Sequence, residues 1–214
     1  MGFARMTFAL SVFLSTFPHR RANAQNPAEP GRFDYYLLNL SWSPEFCRKV
    51  ARSPQCKAHA GFVLHGLWPQ NNNGTWPANC ATHAAGPTNP TAWLDMTPDL
   101  SLIAHEWSKH GACTTLNGDT YFMEAKQAFR SIVTPQRFLE MDHEVTMAPG
   151  EIIGLFVRAN PALGAANFNV SCEDGRLTAI EVCLGKDLRP VECVALHPCA
   201  ESMVKISSPG QLPH

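Results

Sequence analysis

A chain of 214 residues with 45% hydrophobic content and a formal net charge of −1 has enough apolar material for one domain with its own core, and no surplus of either sign. That balance excludes a protein that holds nucleic acid through a broad basic surface, so any polyanion has to be recognised locally. An even set of cysteines (Cys47, Cys56, Cys80, Cys113, Cys172, Cys183, Cys193 and Cys199), with no Cys-x-x-Cys pair, fits disulfides in an oxidising compartment better than a metal site, although spacing leaves the connectivity open.

The N-terminus reads as a cleavable secretory signal over residues 1–24. Arg5 precedes the apolar run from Met6 to Phe17, and Ala22-Asn23-Ala24 supplies small residues before Gln25. The run is shorter than the roughly 20 residues of a membrane-spanning helix. Arg20 and Arg21 follow it, whereas a twin-arginine signal would precede it. The expectation is a secreted or periplasmic protein, unattached to the membrane after cleavage, with one catalytic domain over 25–206 and a flexible tail over 207–214.

From Phe33 to Trp42 the chain is aromatic and aliphatic and predicts a strand at the heart of a sheet, ended by Ser43-Pro44. A short segment with Arg48, Lys49 and Arg52 follows between Cys47 and Cys56 and reads as basic surface. Gly61 to Pro69 predicts a second buried strand, interrupted by His65 and closed by proline. A lone strand histidine is ordinarily a satisfied core residue. Here Gly66 permits a close backbone approach and Trp68 offers a flat stacking surface. Gln70 to Pro90, rich in Asn, Gly, Pro and Thr, is a long irregular loop carrying Trp76 and Cys80, and such loops are uncommon unless functional.

Thr97-Pro98-Asp99 predicts a helix start with Thr97 as N-cap, and Gly111 a stop, so the helix runs to about His110. Its last turns hold His105, Glu106, Lys109 and His110, with Trp107 and Ser108 turned the other way. Such a run is either a site or a solvated face with weak i,i+4 pairs. Zinc helices space two histidines four apart, whereas these are five apart, a rotation of about 140° that separates the rings.

Further helices are predicted over Asp119–Val133, from Thr134-Pro135 toward Met141, and over Glu151–Ala159. Phe168–Cys172 and Arg176–Leu184 flank a hairpin signal at Glu173-Asp174-Gly175, and Val191–Leu196 is expected to add a strand. The fold class is α+β, a central antiparallel sheet packed with several helices in one disulfide-stapled domain. Asn39, Asn73 and Asn169 head glycosylation tripeptides.

Two segments about forty residues apart, Phe62-Val63-Leu64-His65-Gly66-Leu67-Trp68-Pro69 and His105-Glu106-Trp107-Ser108-Lys109-His110-Gly111, closely resemble the active-site segments of the ribonuclease T2 family of secreted, transferase-type endoribonucleases. The residue chemistry agrees independently. Attack of a ribose 2′-hydroxyl on the adjacent phosphorus needs a base for that proton and an acid for the departing 5′-oxygen, and two histidines can serve at one pH.

The resemblance implies His110 as general base, His65 as general acid, His105 as phosphate ligand, and Glu106 with Lys109 as stabilisers of the pentacoordinate state; Glu106, one turn from His110, could also hold that ring. It implies RNA as substrate, products ending in a 2′,3′-cyclic phosphate, no cofactor or metal, no cleavage of DNA, and a monomer. Trp68 and Trp76 stand where the family sandwiches a base. Gln70 replaces an acidic residue and Leu102 an aromatic one, which leaves base preference open. The implied disulfides are Cys47–Cys56, Cys80–Cys113, Cys172–Cys199 and Cys183–Cys193. His59, His83, His143 and His197 match no motif and are read as surface or structural. The rival readings are a silent RNA-binding relative and a metal-dependent phosphodiesterase.

Overall fold

The computed structural model describes residues 29–58 and 61–209; the proposed signal segment, His59 and residues 210–214 lie outside them. Six strands, β1 (Tyr35–Trp42), β2 (Phe62–Gln70), β3 (Val145–Met147), β4 (Phe168–Glu173), β5 (Arg176–Leu184) and β6 (Val204–Ile206), form one sheet in the order β2-β1-β5-β6-β3, with β4 paired to β5. The pairings are antiparallel, as expected, except that β6 meets β5 in parallel at Arg176↔Lys205. Six helices accompany the sheet: α1 (Ser43–Lys49), α2 (Gln55–Ala58), α3 (Leu100–Lys109), α4 (Gly118–Ser131), α5 (Gln136–Leu139) and α6 (Pro149–Ala159). None of them is long and apolar enough to cross a membrane.

β1 is buried along its whole length because both of its faces are covered. Tyr36, Leu38, Leu40 and Trp42 enter the main core with Ile103 of α3, Tyr121 and Phe122 of α4, and Phe156 of α6. Tyr35 and Leu37 point to the other face, where they join Cys183 in a smaller cluster beneath Trp68 and Leu196. The alternation is that of a strand, yet neither face sees water, so the sequence reads as a nearly continuous apolar run.

β2 lies at the sheet edge, and this explains how Pro69 sits inside the strand, paired with Tyr36, instead of closing it: an edge strand can do without one N–H. The outer edge of β2 is satisfied by the chain leading into α3. Leu64 N–H donates to Met96 O at 2.9 Å, and Thr97 Oγ1 donates to Leu64 O at 2.9 Å. Thr97 is therefore not the N-cap expected for α3. Asp99 caps the helix two residues later, its Oδ1 accepting from Ser101 N at 2.8 Å.

Two further expectations are corrected. Val191–Leu196 does not extend the sheet, since after one bridge at Pro190 the chain follows its disulfides, with Ala195 in the left-handed region at φ 54. Nor does a frayed tail begin after Ile206. Ser207 and Ser208 are buried, Ser207 N donates to Glu45 Oε1 at 3.1 Å, and Ser207 O accepts from Trp42 Nε1 at 3.0 Å. The short β3 and β6 pair with each other and carry too few residues to show a period. The β4–β5 hairpin forms as expected, with Asp174 and Gly175 both at positive φ, the geometry its Asp-Gly turn demands.

The four disulfides are Cys47–Cys56, Cys80–Cys113, Cys172–Cys199 and Cys183–Cys193. Cys80–Cys113 closes a separation of 33 residues and ties the long loop to the turn after α3, beside a hydrogen bond from Asn79 N to Lys109 O at 2.9 Å. Replacing both cysteines by alanine is expected to lower stability by about 3–4 kcal/mol from loop-closure entropy. A urea-unfolding midpoint unchanged from the parent would contradict that expectation.

Candidate active site

Local structure aims each side chain. Across the β1–β2 ladder the register passes from Asn39↔Gly66 to Leu40↔Leu64, so His65 is the extra residue of a bulge and is not bound to the alternation of the strand. α3 crosses this point, and the carboxylate of Glu106, 1% exposed, packs directly on Gly66. A Cβ at position 66 would stand 2.0 Å from Glu106 Oε2 and 2.2 Å from Trp68 Nε1, which is why this residue has to be glycine. Trp68 Nε1 donates to Glu106 Oε2 at 2.7 Å, while Glu106 Oε1 faces His65 Nε2 at 3.6 Å and has no hydrogen-bond partner among the described residues.

His110 is the C-cap of α3, at φ −117 and ψ −52. Its ring stacks on Trp68 with centroids 5.2 Å apart and planes 25° from parallel, and its Nδ1 is buried without a partner among the described residues. The glycine after it stops the helix, as expected. Gly111 starts a 3-10 turn, and a Cβ there would stand 2.5 Å from the Trp107 ring. With its φ at −117 the side chain of His110 turns away from the helical direction, and its ring lies 6.3 Å from that of His105, centroid to centroid. His105, Glu106 and His110 each offer a ligand atom within 4.8 Å of the others, so three donors could converge on a divalent ion, contrary to the separation inferred from helical rotation.

One cleft, of about 400 Å³, is lined by all eight residues singled out in the sequence: His65, Trp68, Gln70, Trp76, His105, Glu106, Lys109 and His110. Trp76 is 57% exposed on the long loop, and Gln70 is buried at the end of β2. The carboxyl of Glu106 does not bond His110; it belongs to Trp68 and His65. Ser171, Glu181 and His197 also line the cleft. Glu181 is buried between two amides, Asn39 Nδ2 at 3.0 Å and Asn169 Nδ2 at 2.7 Å, so two of the three glycosylation tripeptides have their asparagines enclosed. The sequence carried one pointer to His197, its position between Cys193 and Cys199.

Burial dominates the electrostatics. It lowers His65 to about 4 and His110 to about 3, helped by the neighbouring cations, among them Lys109 and His105. It raises Glu106 to about 8, against the opposing pull of Trp68 and Lys109. At neutral pH the free site therefore holds two neutral imidazoles and a neutral carboxyl. The resting arrangement has a base ready at His110 and a transferable proton on Glu106, next to His65.

Residues 33–193 match the sequence model of the Ribonuclease T2 family. A ribonuclease of Aeromonas hydrophila is 45% identical over 94 residues, covering 44% of this chain and 43% of its own. A probable ribonuclease of Haemophilus influenzae is 28% identical over 193 residues, covering 82% of this chain and 64% of its own. The chain thus spans less than two thirds of the length of these two relatives. Among solved structures, an RNase-related protein from Calystegia sepium superposes with a TM-score of 0.65 at 24% identity, over 80% of this chain and 96% of that one, and shares the fold.

The contact at Gly66 yields a stability prediction. Gly66→Ala is expected to cost about 1–3 kcal/mol by overpacking, read as a lower urea midpoint. Glu106 binds its proton more tightly folded (about 8) than at its ordinary value of 4.5, so its contribution to stability is complete below 4.5 and is lost as pH rises through about 8. Thermal melts of Glu106→Gln should therefore gain on the parent between pH 4.5 and 8; a constant difference would contradict the raised value.

Proposed function

The chain belongs to the ribonuclease T2 family, and from that premise we propose that it is an endoribonuclease that cuts single-stranded RNA by transesterification, without a metal and with broad base tolerance. The observation that carries this reading is the convergence, in one cleft, of His65 from β2 with His105, Lys109 and His110 from the end of α3. Two separately placed imidazoles are what an in-line exchange at phosphorus needs, one on each side of the scissile phosphate.

His110, neutral because it is buried, takes the proton of the 2′-hydroxyl as O2′ attacks phosphorus. Charge builds on the non-bridging oxygens, where Lys109 and His105 receive it. The P–O5′ bond then breaks, and His65 gives a proton to O5′, leaving a 2′,3′-cyclic phosphate and a free 5′-hydroxyl. Acid catalysis requires a proton on His65, and the proton stored on Glu106 lies 3.6 Å away. An entering phosphate anion favours moving it there. In the slower second step the roles reverse: His65 accepts a proton from water as it attacks, and His110 returns its proton to O2′.

Base tolerance follows from stacking on Trp68 and Trp76, since every base has a π-face. Gln70, the uncharged residue that lines this part of the cleft, is the position at which an acidic side chain would add selectivity. Export through the N-terminal signal and action outside the cytoplasm complete the reading, and the four disulfides suit such a compartment.

Incubation of the purified protein with RNA, with DNA and with RNA plus EDTA tests the proposal. RNA should be cut with and without chelator, and DNA, which lacks the 2′-hydroxyl, left whole. Loss of cleavage in EDTA would favour a metal-dependent phosphodiesterase; no cleavage at all would favour a binding protein. His65→Ala and His110→Ala should each lower kcat by about 10²–10⁴ with the fold intact.

The pH dependence has a definite sign. Activity needs His110 neutral and one proton held by the Glu106–His65 pair, so kcat/KM rises with pH through the His110 value, about 3, and falls as that pair loses its proton near the Glu106 value, about 8. On a dinucleoside monophosphate a level profile from acidic to neutral pH with an alkaline decline is expected, and a plateau persisting well above the Glu106 value, about 8, would refute the assignment.

A further inference from the structure

His197 stands in the cleft for reasons unrelated to the two family segments. The strap from Cys193 to Cys199 is fastened at both ends, by Cys183–Cys193 and Cys172–Cys199. Backbone bonds hold it as well, Cys193 N to Ala166 O at 2.7 Å and Cys199 N to Val170 O at 2.9 Å. Between these points Tyr35 OH donates to Val194 O at 3.0 Å, and Leu196 packs on the small cluster below the cleft. Leu196 and its neighbours are thus anchored inward while His197 is exposed and borders the cleft. A strap so constrained presents its imidazole at a set place.

That place is beside the tryptophan loop. Ala195 abuts the tryptophan loop, since a Cβ on Gly74 would come 3.3 Å from it. A second hollow adjoins the cleft toward α1, sharing His65, Trp68, Ser171 and Glu181 but neither Trp76 nor His197. His65 lies where the two hollows meet, while His110, Trp76 and His197 line the first alone. A nucleotide with its base at Trp68 and Trp76 and its 3′-phosphate at His65 and His110 would have its 5′-phosphate on the far side of the base from those histidines, and His197 shares that cleft with Trp76. Four of the cationic or ionisable bases lining the cleft, His65, His105, Lys109 and His110, belong to β2 and α3; His197 is the one on the facing wall. In a chain of net charge −1, a polyanion there depends on such a local group.

We propose that His197 is a further substrate-contacting residue, which binds the phosphate on the 5′ side of the nucleotide seated at Trp68 and Trp76. This rests on the cleft being an RNA site. The probe is a 2′-deoxy dinucleotide with and without a 5′-phosphate, which binds without being cut, titrated calorimetrically into the intact protein at mildly acidic pH. The parent is expected to bind the phosphorylated form about three- to fivefold more tightly, the strength of an exposed ionic contact. In His197→Ala and His197→Gln that ratio should fall to about one.

A parent with no preference, or variants that keep the parent's ratio, would overturn the proposal. Equal weakening toward both probes would also overturn it, since that would mean contact with the base or support of the strap. Cleavage of the matching ribodinucleotide by the parent reports separately on the ribonuclease reading. If the parent does not cut it yet still prefers the 5′-phosphate in a His197-dependent way, the enzymatic reading falls and the phosphate site stands.

Discussion

Everything around the cleft depends on one buried carboxyl group resting on one glycine. Glu106 comes from α3 and Gly66 from β2, and the two elements meet closely because position 66 has no side chain. Trp68 Nε1 satisfies one carboxyl oxygen, and the other is left facing His65. The same indole stacks on His110. A single contact therefore sets the distance between strand and helix and orients both histidines, which is how groups about forty residues apart in sequence become one site.

The arrangement opposes stability. Removing a carboxyl group and two imidazoles from water disfavours their charged forms, so Glu106 rises and His65 and His110 fall. Burial of this kind persists only where the surroundings are firmly held, and here they are. The edge strand β2 is capped by Met96 and Thr97 on the way into α3, Tyr121 of α4 donates to Leu67 O at 2.8 Å, and the long loop is tied through Cys80–Cys113. The main core behind β1 supplies the apolar burial, leaving the opposite face of the sheet free to be polar at Asn39, Glu181 and Asn169.

Legibility from sequence followed the range of the interactions. The strand at Tyr35–Trp42, the histidine-bearing strand, the helix ending at His110 and the Asp-Gly hairpin were visible because each is written in local periodicity or turn chemistry. Errors arose where a distant partner took over a local signal. Thr97 looked like a cap, but its hydroxyl is used by Leu64 O; Val191–Leu196 looked like a strand, but its disulfides lead it elsewhere; Ser207 looked like tail, but Trp42 and Glu45 hold it. The five-residue histidine spacing misled for a related reason, since rotation per residue loses its meaning where His110 leaves the helix.

The sequence by itself determined the class of the fold, the family, the cysteine set and the residues of the candidate site, because apolar period, glycine placement and ionisable clusters are local properties of the chain. Only the tertiary structure decided what those residues do to one another. It assigned Glu106 to Trp68 and His65, stacked His110 on Trp68, released His65 through a bulge, and brought His197 into the cleft on a doubly anchored strap. These are contacts between elements far apart in the chain, and their burial sets the protonation on which the proposed chemistry depends.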